Sequence, residues 1–148
     1  MIEVEEHKSK WIITIVLVFI CVVLLRTFMI QGFVVRGESM SPTIENGDFV
    51  LVNKLAYLWS EPQRGDIVVA WTRDDSKRIV KRVMGLPGEK YAKDDGTINN
   101  IDPSEYFLMG DNAEVSAGSN EFDFVDLWDI KGKVIGAIRL NNLKYIDF

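Results

Sequence analysis

A chain of 148 residues with a long apolar stretch near its start has room for one further domain of ordinary size and no second core. Its net charge of -5 argues against the clustered Lys and Arg that bind phosphate backbones, so no nucleic-acid partner is expected. The sole cysteine, Cys21, lies inside the apolar stretch and the sole histidine, His7, before it, which excludes a Ser-His-Asp triad, a Cys-His pair, a disulfide framework and an ordinary zinc site from the rest, and no metal or other cofactor is expected.

Residues 1–10 form a polar flank in which Glu3, Glu5 and Glu6 read as solvated charges. From Trp11 to Leu25 the chain is apolar except for Thr14, and continuation through Arg26 and Thr27 to Ile30 makes a 20-residue helix. Such a helix is roughly 30 Å long, enough to cross a bilayer core. Arg26 can snorkel to the headgroups, and Trp11 suits the interface at the other end. A cleaved signal peptide needs small residues at its cleavage site, yet no alanine precedes Ala56, so a retained anchor is expected over 11–30. Lys8 and Lys10 before the span favour a cytoplasmic N-terminus, with 31–148 outside the cytoplasm.

Beyond the anchor, short apolar runs alternate with turn signals, the pattern of a mainly β domain. Strands are predicted over 33–35, 48–55, 66–71, 79–84, 106–109 and 134–140. Gly47-Asp48, Gly65-Asp66 and Gly110-Asp111 stand at element boundaries, as turn chemistry requires. The polar run between Lys90 and Ser104 predicts a surface excursion around a short hairpin.

With histidine and cysteine excluded, the available chemistry is Ser or Thr with Lys, paired carboxylates, or none. Ser39 lies in the turn-like segment Gly37-Glu38-Ser39-Met40-Ser41-Pro42-Thr43, where exposure and nearby backbone N–H groups suit a nucleophile. The plain alternative is a turn in which Ser41 and Thr43 cap backbone groups. A serine needs a proton acceptor, and an amine accepts only when neutral, a form that removal from water favours. Lys81 interrupts the apolar run 79–84, where alternation puts it on one face with Ile79 and Val83. Lys54, also in an apolar run, is the other candidate base. Asp111, or Asp123 with Asp126, could be offered as carboxylate pairs, but their spacing specifies no dyad and capping explains them.

The ordered segments Ser39-Met40-Ser41-Pro42-Thr43, Arg64-Gly65-Asp66-Ile67-Val68-Val69, 81–89 (KRVMGLPGE) and Gly110-Asp111-Asn112, behind a short membrane span, resemble the type I signal peptidases of bacteria, in particular the compact Gram-positive members. The resemblance implies a signal-peptidase-like β domain that cleaves signal peptides from exported preproteins at the outer face of the cytoplasmic membrane. It implies Ser39 as nucleophile and Lys81 as base, with the Ser39 N–H in the oxyanion hole and Gly37 where some members carry a second hydroxyl donor. Val35, Met40 and Val80 match residues of the motif and of the shallow pockets that accept small side chains. Ser116 matches the hydroxyl that orients the lysine, and Arg82 and Asp111 match supporting residues. Gly118 and Asn120 stand where the family has Asp and Arg, so one supporting ion pair is missing. That loss motivates a second expectation, a weakly active or non-cutting accessory that binds precursors and assists surface assembly such as pilus building. A self-cleaving regulator with the same dyad is disfavoured by the anchor and by the lack of a DNA-binding segment.

Overall fold

A computed structural model describes residues 2–72, 77–92, 98–112 and 123–148. Its first element is the helix α1, Ile2–Met29, whose segment Lys10–Met29 is long and apolar enough to cross a membrane and has no buried residue among those described. The helix stops one residue before the predicted end of the span. Ile30 already pairs with Asn53 as the first residue of strand β1, Ile30–Val34, and the Lys54 N–H takes the Met29 carbonyl at 2.9 Å. No linker separates helix from strand.

The remaining strands are β2 Phe49–Asn53, β3 Ile67–Trp71, β4 Arg78–Gly85, β5 Lys90–Ala92, β6 Ile98–Asn100, β7 Glu105–Met109, β8 Asp123–Asp126, β9 Ile130–Arg139 and β10 Lys144–Asp147. Among the described residues they form a sheet in the order β1-β2-β9-β3-β4-β7-β8, every pair antiparallel, with β10 on β9 and a separate β5-β6 hairpin. The chain is therefore mainly β, as the short apolar runs predict, and the hairpin falls inside the expected surface excursion. Strands β8 and β10 are not among the predicted ones; each is a short run with two acidic or charged residues, made a strand by its partner.

Alternation along the strands divides the apolar side chains between two clusters. Val35, Met40, Ile44, Val50, Val52, Ile67, Val69, Val134 and Ala137 make one, and Val68, Ala70, Val83, Tyr106, Leu108, Val125 and Ile130 the other. Strand β3 feeds both, Ile67 and Val69 to one face and Val68 and Ala70 to the other, so all four are buried. A strand covered on both faces reads as a continuous apolar run, which is how Ile67-Val68-Val69-Ala70 appears. Val68 stands opposite Lys81 of β4 in the register.

Two glycines answer to backbone demands. Gly65 turns the chain into β3 at φ 93°, a region disfavoured for residues with a Cβ. Gly132 lets β9 approach β2 so closely that a Cβ would stand 2.5 Å from the Asn53 carbonyl oxygen.

Candidate active site

Between β1 and β2 the chain makes a turn-rich segment that carries Ser39. Its base is closed by the Val35 N–H donating to the Asp48 carbonyl at 2.8 Å and the Gly47 N–H donating to the Val35 carbonyl at 3.0 Å. Gly37, at φ 106°, donates its N–H to Asn46 Oδ1 at 3.1 Å. The Ile44 N–H bonds the Met40 carbonyl at 2.9 Å, and both side chains are fully buried, so apolar packing anchors the segment from below. Arg139 of β9 secures its far end through Glu45, Asp48 and the Pro42 carbonyl. Ser39 is left half-buried above this platform.

Ser39 and Lys81 line one cleft of about 500 Å³. Phe33, Val34, Val35 and Arg36 form one wall, Arg78, Ile79 and Val80 the other, and Met40 lies beside Ser39. Thus Val35, Met40 and Val80 all face the cleft, and all three belong to or pack on the first apolar cluster. Lys81 is 6% exposed, the deepest of the described lysines, while the ion pairs among the described residues run between other groups. Lys54, the other candidate base, is exposed and lines a different pocket that lacks Ser39.

Arg82 and Asp111 pair with each other next to the segment that carries Ser39. Arg82 donates from Nε and Nη2 to the two carboxylate oxygens of Asp111, at 2.8 and 2.6 Å, and from Nη1 to the Gly65 carbonyl at 2.8 Å. Burial alone would raise the Asp111 carboxyl, but hydrogen bonds from Arg82 and Thr43 and the Arg82 charge outweigh it and hold it below the usual aspartate range. The bond to Asp111 in turn pushes Arg82 up. Next along the chain, Asn112 donates its backbone N–H to the Ser39 carbonyl and its side-chain amide to the Glu38 carbonyl. The motifs around Ser39, Gly65, Arg82 and Asp111 are thereby joined in one hydrogen-bonded network.

A second, partly buried polar cluster lies at the start of β3. Asp66 accepts from Tyr57, the Gln63 N–H and Lys133, at 2.9, 3.0 and 2.7 Å. Burial favours its protonation, yet Lys133, Gln63 and Tyr57 prevail and keep its carboxyl low, and the same setting drives the Tyr57 hydroxyl upward. Asp126 precedes the short helical turn Leu127–Asp129 without a side-chain capping bond, and it is not among the residues that line the cleft. Ser116, Gly118 and Asn120 lie outside the described residues.

Sequence reasoning did not single out Asn112 or Arg78. Asn112 was visible only as the third member of Gly-Asp-Asn. Arg78 gave no signal, because its setting over the rings of Phe33 and Trp71, at 5.6 Å from each centroid, depends on strands far apart in the chain. Nor does any group of three or more metal-ligating side chains occur among the described residues.

A family model described as signal peptidase, peptidase S26, matches residues 8–100. Signal peptidase I P of Bacillus subtilis subsp. natto is 32% identical over 155 aligned residues, covering 80% of this chain and 84% of that protein. Signal peptidase IB of Staphylococcus aureus (strain N315) is 29% identical over 172 aligned residues, covering 88% of each.

Proposed function

Because this chain belongs to the signal peptidase family, peptidase S26, we propose that it removes signal peptides from exported preproteins as a membrane-bound serine endopeptidase with a Ser39–Lys81 dyad. The observation that carries the dyad is the meeting of Ser39 and the buried Lys81 in one cleft. Lys81 Nζ accepts the Ser39 hydroxyl proton. The Ser39 oxygen then attacks the scissile carbonyl, and the Ser39 backbone N–H stabilises the oxyanion. Collapse of the tetrahedral adduct breaks the peptide bond, with Lys81 returning its proton to the leaving amine. Water, deprotonated by the same lysine, releases the acyl group from Ser39.

Val35, Met40 and Val80 limit the cleft to small side chains at the cut. Arg82 and Asp111 position the strand that carries Lys81, and Ser116 orients its amine. Residues 11–30 anchor the chain in the bilayer, residues 1–10 are cytoplasmic and 31–148 form the extracytoplasmic domain, which places the cleft on the side where exported precursors emerge. The rival reading, a non-cutting accessory, rests on Gly118 and Asn120 alone and leaves the buried lysine beside Ser39 without a purpose.

The deciding experiment incubates the purified chain in detergent with candidate precursors, intact and as Ser39→Ala and Lys81→Ala. Each substitution is expected to abolish cleavage; full processing by both would overturn the dyad. If Ser39→Ala instead sustains the cellular role of the intact chain, the accessory reading replaces catalysis.

A further inference from the structure

Beside the cleft, and sharing Phe33 and Arg78 with it, lies a second pocket of about 260 Å³ whose polar lining includes Gln31, Lys54, Arg78 and Lys131. Three cations around one cavity stand out in a chain of net charge -5. Lys54 and Arg78 enter no ion pair among the described residues, and among them Lys131 pairs in charge with Asp129 alone, at the long distance of 4.0 Å. Arg78 is held over the faces of Phe33 and Trp71, which leaves its charge available to the pocket.

The position of the pocket identifies its ligand. Gln31 is the second residue after α1, and at about 3.3 Å per strand residue it stands roughly 7 Å beyond the helix end. The headgroup layer outside a bilayer core is of similar depth, about 5–8 Å. Lys54 is tied to that level by its N–H bond to the Met29 carbonyl. Trp59, on the connection that follows Lys54, is 84% exposed, and Trp128, whose carbonyl accepts from Lys131 Nζ at 2.6 Å, is 86% exposed. Exposed tryptophans close in the chain to Lys54 and Lys131 of the pocket suit a headgroup boundary.

We propose that this pocket binds the phosphate of an anionic phospholipid headgroup, which seats the domain on the membrane with the neighbouring cleft alongside the lipid surface. The proposal rests on α1 being a membrane span. Lysines supply point charges for phosphate and Arg78 adds planar donors.

The test uses the full chain in neutral-detergent micelles, with Trp71 emission as the reporter and the Trp71→Phe chain as the blank. Short-chain phosphatidylglycerol is expected to bind saturably, phosphatidylcholine not, and Lys54→Gln with Lys131→Gln to weaken binding at least about tenfold. Lys131→Gln alone stands in if the double variant unfolds by circular dichroism. Equal response to both lipids, or unchanged binding in the folded variant, overturns the proposal. Competition by inorganic phosphate at equal concentration assigns the pocket to the free anion, and displacement by a precursor peptide assigns it to the substrate path; either overturns the lipid assignment. Alkaline extraction of membranes tests the anchor separately, since a chain that stays in the bilayer but fails the lipid titration condemns the pocket alone.

Discussion

Asn112 holds the carbonyl of Ser39 through its own backbone N–H at 3.0 Å and the carbonyl of Glu38 through its side-chain amide at 3.0 Å. Two adjacent peptide planes of the turn are thereby fixed from the β7 side of the sheet. Asn112→Ala keeps the first bond and removes the second. We expect a stability loss of only about 1 kcal/mol, as for a partly solvated hydrogen bond. Misplacement of Ser39 should cost more, with kcat falling about tenfold and KM unchanged. Steady-state kinetics on one precursor, beside urea unfolding, checks the split.

Asp111 and Asp66 give the domain its acid sensitivity. Both carboxyls lie below their ordinary value of 3.8 in the folded chain. Between the folded and ordinary values the unfolded chain binds more protons, so the contribution is full above about pH 4 and is lost as pH falls through the lowered values. Asp111→Asn removes one share of this loss and also breaks the bidentate pair with Arg82, whose side chains are 27% and 16% exposed. The variant should lose about 2 kcal/mol at neutral pH and show a shallower decline below pH 4. Urea midpoints from pH 7 to pH 3 measure both.

Lys81→Arg separates position from proton transfer. The guanidinium is of similar length but stays protonated at any working pH. Activity should vanish as completely as in Lys81→Ala. Appreciable cleavage by the folded arginine variant would remove Lys81 from the role of base.

Val80→Ala deletes two methyl groups from the cleft wall. Selectivity at the cut should relax, with the preference for alanine over valine in a matched pair of precursors falling about tenfold, the scale of small apolar differences in a pocket. The ratio of kcat/KM for the two precursors decides it.

Much of this architecture is readable in the residues. The run 11–30 announces the helix, and the runs at 66–71, 79–84 and 106–109 meet β3, β4 and β7 within a residue at either end. The strands that escape are those whose reason is remote. Asp123–Asp126 and Lys144–Asp147 carry too few apolar residues to declare themselves and exist because β7 and β9 offer them hydrogen bonds. The beginning of β9 is hidden for a similar cause, since Gly132 reads locally as a breaker while its real task is to let Asn53 of β2 come near. The same limit applies to the two lysines. Alternation places both Lys54 and Lys81 in apolar company, and only the register of β4 against Val68 shows which is buried.

The place of β9 bears on when the protein can begin to work. Ser39 belongs to the connection between β1 and β2, Lys81 to β4, and in the sheet it is β9 that joins β2 to β3. Until residues 130–139 have been synthesised, the two portions of sheet have no strand between them, and Arg139 is not there to hold Glu45 and Asp48. At a ribosomal pace of about 5–20 residues per second, the nascent chain carries Ser39 for several seconds before its final strands arrive. The half of the cleft that carries Ser39 thus exists for a time without the strand that joins it to the half carrying Lys81.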